Sequence, residues 1–329
     1  MYATGNKKML NMLILEILRK YSDENHSLTQ QEIIRLLDKN YGMECDRRSV
    51  KNNILYLKEL GYNISMDKGY RLLEREFDDA ELRILIDSVL FSKSISTRQA
   101  RGLIDKIRDL ASNYFNAKVS HVSNLPDLHR TVNKQAMYSL DTINDAISEH
   151  KKISFIYNII GTDLKLHPKR EEPYIVNPYQ IVANNGRFYL IGNYDKYDNI
   201  AHFRIDRMTD VRMLSEKTKP LKQLPGYEHG LDLPKHMAEH IYMFSGKSET
   251  IQLRTTADMM TELVDWFGND FSVTKKKGDE IIVRITCNVS AMRFWALQYG
   301  PYVEVLKPES LRKQIREDVA GMVEKYNRS

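Results

Sequence analysis

Over the first 75 residues apolar positions recur every three or four places, the spacing that buries one face of a helix. Leu10, Leu13, Ile14, Ile17 and Leu18 predict a helix over 7–21. Thr29-Gln30-Gln31-Glu32 is a capping box that opens a second helix, with Ile33, Leu36 and Leu37 turned inward. Asp46 caps a third, running from Arg47 to about Leu60, where Gly61 stops it. Val50, Ile54 and Leu57 are its apolar stripe. The period then shortens, and 63–72 reads as a hairpin turning at Asp67-Lys68-Gly69.

Helical spacing returns after Asp78, with Leu82, Leu85, Ile86, Val89 and Leu90 inward. Ser96-Thr97-Arg98-Gln99, another capping box, starts a helix to about Tyr114 carrying Leu103, Ile104, Ile107 and Leu110. Residues 121–129, with Pro126, read as a loop, and 132–150 as a helix with Met137, Leu140, Ile143 and Ile147 inward. From 151 the period becomes two: 152–158 and 163–167 form one hairpin, 173–183 and 187–193 a second. Asn185-Gly186 supplies the positive-φ pair that the second turn needs. Residues 219–246, with Pro220, Pro225, Gly226 and Pro234, read as a linker. Strands at 249–254, 271–275, 281–287 and 303–306 then alternate with helices at 257–267 and 290–299 before a last helix over 308–326. That βαββαβ order predicts a ferredoxin-like sandwich, with Trp266 and Trp295 in its core. The fold class is α+β and multidomain.

Three helices followed by a hairpin is the winged helix-turn-helix order, in which the third helix enters a major groove. Arg48 and Asn52 lie opposite its apolar stripe, with Lys51 and Tyr56 on the flanks, and 47–58 holds four cations (Arg47, Arg48, Lys51, Lys58) and no acid. Arg and Asn pair with base edges; Arg47, Ser49 and Lys51 near the cap suit phosphates, and Lys68 on the wing reaches the adjacent backbone. Leu55, near the exposed side, touches a thymine methyl or packs under the wing. The competing reading is a solvated charged helix, or one that meets protein.

In the second half, His202 and Arg204 point to one side of their strand while Ala201, Phe203 and Ile205 point to the other. Arg187 and Tyr189 make a similar pair on the preceding strand, and Arg207 follows close by. Guanidinium groups gathered with a His and a Tyr suit a phosphate or nucleotide, because each presents a planar fork of donors. The alternatives are a solvated sheet face, or an ion pair of Arg204 or Arg207 with Asp206, which lies between them in sequence.

Val176-Asn177-Pro178-Tyr179, Phe188-Tyr189-Leu190 and Phe203-Arg204-Ile205-Asp206-Arg207-Met208 together resemble the WYL domain of bacterial transcriptional regulators, with Phe188 standing for the Trp. Strand 152–158, with Tyr157, resembles that domain's opening strand. The resemblance implies a winged helix-turn-helix (1–75), a helical linker (76–150), a small bent Sm/SH3-like sheet that senses ligand (151–218), a linker (219–246) and a C-terminal extension (247–329). It implies effector contacts at Arg204 and Arg207; Tyr157, Arg187, Tyr189 and His202 join them by alternation. Regulators of this kind work as homodimers, and two-fold proteins match two-fold operators.

Composition narrows the picture a little. A chain of 329 residues with 42% hydrophobic content supports two or three ordinary cores. The net charge of +5 is mild, so a nucleic-acid partner rests on local charge. Cys45 and Cys287 fit no metal spacing and read as free thiols in a reducing cytoplasm. Glu16 and Arg19-Lys20 interrupt the apolar start, which argues against a signal peptide, and no stretch suits a membrane span. His236-Met237-Ala238-Glu239-His240 matches the H-x-x-E-H zinc pattern, but no third ligand is evident. The expectation is a cytoplasmic, non-enzymatic, cofactor-free DNA-binding regulator, homodimeric, with a double-stranded operator and an anionic effector (nucleotide or single-stranded nucleic acid). The alternative is an accessory protein that binds RNA or single-stranded DNA through its β-rich half.

Overall fold

The computed structural model describes residues 9–118, 131 and 133–327, and the chain divides into two compact units, Met1–Thr131 and Val132–Ser329. In the first, α1 (Leu10–Tyr21), α2 (Gln30–Tyr41) and α3 (Arg47–Glu59) bury their predicted stripes against one another. Leu37 of α2 is fully buried, while Leu36 packs only at the edge. Thr29 and Glu32 form both bonds of the capping box, and Gly42 at φ 62° takes the left-handed position that ends α2. Asp46 Oδ1 accepts from the Ser49 amide at 2.7 Å and starts α3.

Strands β1 (Ile64–Ser65) and β2 (Arg71–Leu72) pair antiparallel behind α3. Leu28 and Tyr70 exchange two backbone bonds of 2.8 Å, which adds a third edge to the hairpin. The turn needs Gly69: φ is 120°, and a Cβ there would sit 2.8 Å from Ser27 Oγ. Helices α4 (Asp79–Phe91), α5 (Thr97–Asp109) and α6 (Asn113–Lys118) build a smaller core of Leu82, Ile86, Ile104, Ala111 and Phe115. Asp78 with Glu81, and Ser96 with Gln99, make complete capping boxes. Three residues expected inward are exposed instead: Leu85 and Leu110 here, at the edges of stripes that Ile86 and Ile104 fill, and Met137 in the second unit, where Ala136 takes the buried position. The loop expected at 121–129 lies outside the described residues.

The second unit opens with α7 (Ala136–Ser148), whose Ile143 and Ala146 are fully buried against a sheet. That sheet contains β3 (Lys151–Ile160), β4 (Leu166–Pro168), β5 (Tyr174–Asn184), β6 (Arg187–Asn193), β7 (Ile200–Arg204) and β8 (Met208–Lys217). Its order is β4-β3-β5-β6-β7, with β8 also paired to β3, and every pairing is antiparallel. One face meets α7 through Phe155, Leu190, Phe203 and Ile205. Buried asparagines hold the corners: Asn177 Nδ2 donates to Asp195 Oδ1 at 2.7 Å, and Asn133 Nδ2 to the Met208 carbonyl at 2.6 Å.

The stretch 219–246, expected as a linker, packs on the opposite sheet face. Leu224 and Met243 are buried with Val182, Ile191 and Ile200. It includes a short helix, α8 (Leu233–Glu239), with Asp232 as its cap. Then β9 (Ser248–Thr256), α9 (Met260–Phe267), β10 (Phe271–Lys277), β11 (Glu280–Asn288), α10 (Val289–Gln298), β12 (Glu304–Lys307) and α11 (Glu309–Tyr326) complete the chain. Their sheet is antiparallel, in the order β10-β11-β9-β12. Ile281, Val283, Ile285 and Cys287 line its buried face under Trp295. Trp295 is fully buried, whereas Trp266 is half-buried and donates from Nε1 to Tyr299 Oη at 3.0 Å. Among the described residues no helix is long and apolar enough to cross a membrane.

Candidate functional site

Helix α3 buries Val50, Ile54 and Leu57 and exposes Arg47, Arg48, Lys51, Asn52 and Tyr56. Arg47 Nη2 donates to Gln31 Oε1 at 3.3 Å, which fastens it to α2. Among the described residues Arg48, Lys51 and Asn52 have no side-chain partner. Ser49 is half-buried and its amide is taken by the cap; its carbonyl accepts from Asn53, at 2.8 Å. Leu55 is 39% exposed and lies on the same open side. Lys68 is exposed at the hairpin tip with φ 54°, and its carbonyl accepts from Ser27 Oγ at 2.8 Å. The exposed part of α3 from 47 to 58 is thus a cationic surface without a carboxylate of its own.

On the sheet, register places Tyr189 directly opposite Arg204. Asp206, 4% exposed, lies between guanidinium groups. Arg204 grips it with two bonds, Nε to Oδ1 at 3.1 Å and Nη2 to Oδ2 at 2.7 Å. Arg187 Nη1 donates to the same Oδ2 at 2.9 Å. Tyr157 Oη accepts from the Arg204 amide at 3.3 Å. The Arg207 Nε is buried without a partner. Burial pushes the Tyr157 and Tyr189 hydroxyls up, with the arginines opposing it. Burial also lowers Arg187, as does Arg204 beside it; burial acts on Arg204 too, but the bonds and the charge of Asp206, with the neighbouring tyrosines, together raise it. Two guanidiniums share this one carboxylate, and Arg207 lies near enough to act on the same tyrosines, Tyr157 and Tyr189. The ion pair with Asp206, expected as the alternative for Arg204 or Arg207, is formed by Arg204, and by Arg187, for which it was not expected.

His202 stands apart from that cluster. It meets His236 and His240, which α8 brings over the sheet. His202 Nε2 lies 2.8 Å from His236 Nε2, and the His236 and His240 rings stack at 4.1 Å. Burial, and then the neighbouring imidazoles, lower His202 to about 3 and His236 to about 4, and burial lowers His240 as well. All three are therefore neutral at physiological pH. Sequence reasoning missed the triad's third member because 34 residues separate His202 from His236. The H-x-x-E-H spacing was the one available signal.

The WYL domain family matches residues 139–213 and the WCX domain family residues 247–323, so the chain carries both domains. No curated protein matches it. Among solved structures it is similar to the proteasome accessory factor B/C (PafBC) of Arthrobacter aurescens, at 13% identity and a TM-score of 0.31. That match covers 98% of this chain but 49% of the other, so this chain spans about half the length of that protein. A CRISPR Cas-related protein is also similar, at 14% identity and a TM-score of 0.41 over 78% of this chain and 75% of that one.

Proposed function

We propose that this chain, with its WYL domain followed by a WCX domain, is a DNA-binding transcriptional regulator that answers to an anionic effector. The observation that carries the reading is the open face of α3, where Arg48, Lys51 and Asn52 stand exposed and unpartnered above a fully buried stripe. In this reading 1–75 is a winged helix-turn-helix, supported by the capped third helix and the three-edged hairpin. Arg48 and Asn52 read bases, Arg47, Ser49, Lys51 and Tyr56 hold the backbone, and wing Lys68 reaches the neighbouring phosphates.

Helices of 76–150 connect the reading module to 151–218, an Sm/SH3-like sheet, and α7 docks on that sheet. The strap 219–246 covers the other sheet face, and 247–329 is a ferredoxin-like extension, a reading supported by its strand order. The effector is a nucleotide or nucleic-acid fragment held by Arg187, Arg204 and Arg207 with Tyr157 and Tyr189. Arg207, whose Nε has no partner, is its first contact. Effector binding must favour one arrangement of two reading helices in a homodimer, since a ligand shifts only states that it binds unequally. No catalytic step belongs to this reading.

A gel shift comparing an operator-sized duplex with a single strand of the same sequence tests it. Arg48→Ala with Asn52→Ala is expected to abolish duplex sequence preference. Unchanged duplex preference, or tighter binding of the single strand through the β-rich half, would overturn it in favour of an accessory RNA- or single-strand-binding protein.

A further inference from the structure

We propose that His202, His236 and His240 form a site for one divalent first-row transition cation, zinc by its ligand set, that clamps α8 onto β7. The ligand atoms of the three residues all lie within 4.8 Å of one another. Zinc bound to imidazole at about 2.0–2.1 Å in a tetrahedron holds its nitrogens roughly 3.4 Å apart. The 2.8 Å pair would open by about half an ångström and the wider pairs would close, which imidazole rings achieve by small side-chain rotations. His236 and His240 are one helical turn apart, so both reach the same point on β7.

The surroundings suit a cation better than an imidazole cluster alone. His240 Nδ1 donates to the His236 carbonyl at 2.9 Å, which fixes its tautomer and leaves Nε2 as a lone pair. His236 and His240 are 5% and 4% exposed, so water competes poorly for them. Without a cation the facing Nε2 atoms of His202 and His236 have only a single proton to share between them. His236 and His240, with Glu239 between them, also line a cavity of about 710 Å³, from which water or an anionic group can supply a fourth ligand. Three imidazoles suit zinc, copper or nickel rather than magnesium or calcium.

The proposal is independent of DNA binding, and it moves His202 from the effector set to a metal set. The test uses the full chain stripped with a chelator and titrated with Co²⁺, whose visible bands report four-coordinate nitrogen ligation. One equivalent is expected to bind, to be displaced by Zn²⁺ and to raise the melting temperature. X-ray absorption of the zinc form should show a shell of three imidazoles. His236→Gln and His240→Gln should each weaken binding by at least about 100-fold, the upper end for losing even an outer-shell contact. His229→Gln, exposed and outside the cluster, should leave it unchanged. The absorption experiment needs no variant, so a misfolded mutant cannot decide the outcome. Failure of the stripped chain to bind Co²⁺ stoichiometrically, or a thiolate or all-oxygen shell, would overturn the proposal.

Discussion

Asp206 decides what the arginine cluster can do. Its carboxylate takes three bonds from Arg187 and Arg204, and it is far more buried than either partner. Removing it strands two half-buried guanidiniums, so Asp206→Ala should destabilise the second unit by on the order of 3 kcal/mol, read as a lower urea midpoint. Asp195 shows the milder case. The hydrogen bond from Asn177, and then the bond from Lys152, hold its carboxyl below the usual carboxylate range. A depressed acid stabilises the fold above its ordinary pKa and loses that contribution as pH falls through the folded value. Asp195 is 54% exposed, so Asp195→Asn should cost no more than about 1 kcal/mol at pH 7. Denaturant midpoints of the two proteins should converge by about pH 2. Alternation along one strand is a local property, so the common side of His202 and Arg204 was legible in the sequence. Their separate partners were not, because those depend on residues 2 positions away for one and 34 for the other.

Among elements, those with their own caps and a clean period were the legible ones. α2, α3, α4 and α5 begin where Thr29, Asp46, Asp78 and Ser96 place them. The stretch 219–246 was not legible, since its apolar residues follow no period and its prolines read as linker. Only the sheet face that it covers gives those residues a reason to be there. α3 yields a paired prediction. Asp46→Ala removes the acceptor of the Ser49 amide and should cost the first unit about 1 kcal/mol. Arg48→Ala and Asn52→Ala, exposed and unpartnered, should change stability by less than about 0.5 kcal/mol. Thermal melts of all three variants check both statements. A large loss with Arg48→Ala would mean that its side chain serves the fold, which would weaken its assignment to DNA.

At the scale of the whole molecule the proposed homodimer needs a surface that pairs one copy with another. Among the helices of the described residues, α4 and α11 each expose several apolar side chains. α4 presents Ile84 at 66% and Phe91 at 59% exposed on the side away from buried Leu82 and Ile86, with Leu85, at 36%, on the flank. α11 presents Val319, Met322, Val323 and Tyr326 at helical spacing, at 46%, 40%, 54% and 91% exposed. Covering one large apolar side chain is worth about 1.5–3 kcal/mol, so either stripe can drive association. α4 belongs to the same unit as α3, the proposed reading helix, which makes it the more direct means of spacing two such helices on a two-fold site. Ile84→Glu with Phe91→Glu should therefore halve the mass seen by sedimentation while leaving the melt of the first unit within about 0.5 kcal/mol. The same pair should weaken binding to a palindromic duplex by roughly 100-fold or more, because the second half-site no longer gains from effective concentration. Val319→Glu with Val323→Glu is the matched control on α11. Should that control alone dissociate the protein, the pairing surface belongs to the WCX end of the chain, and α4 keeps its exposed stripe for some other contact.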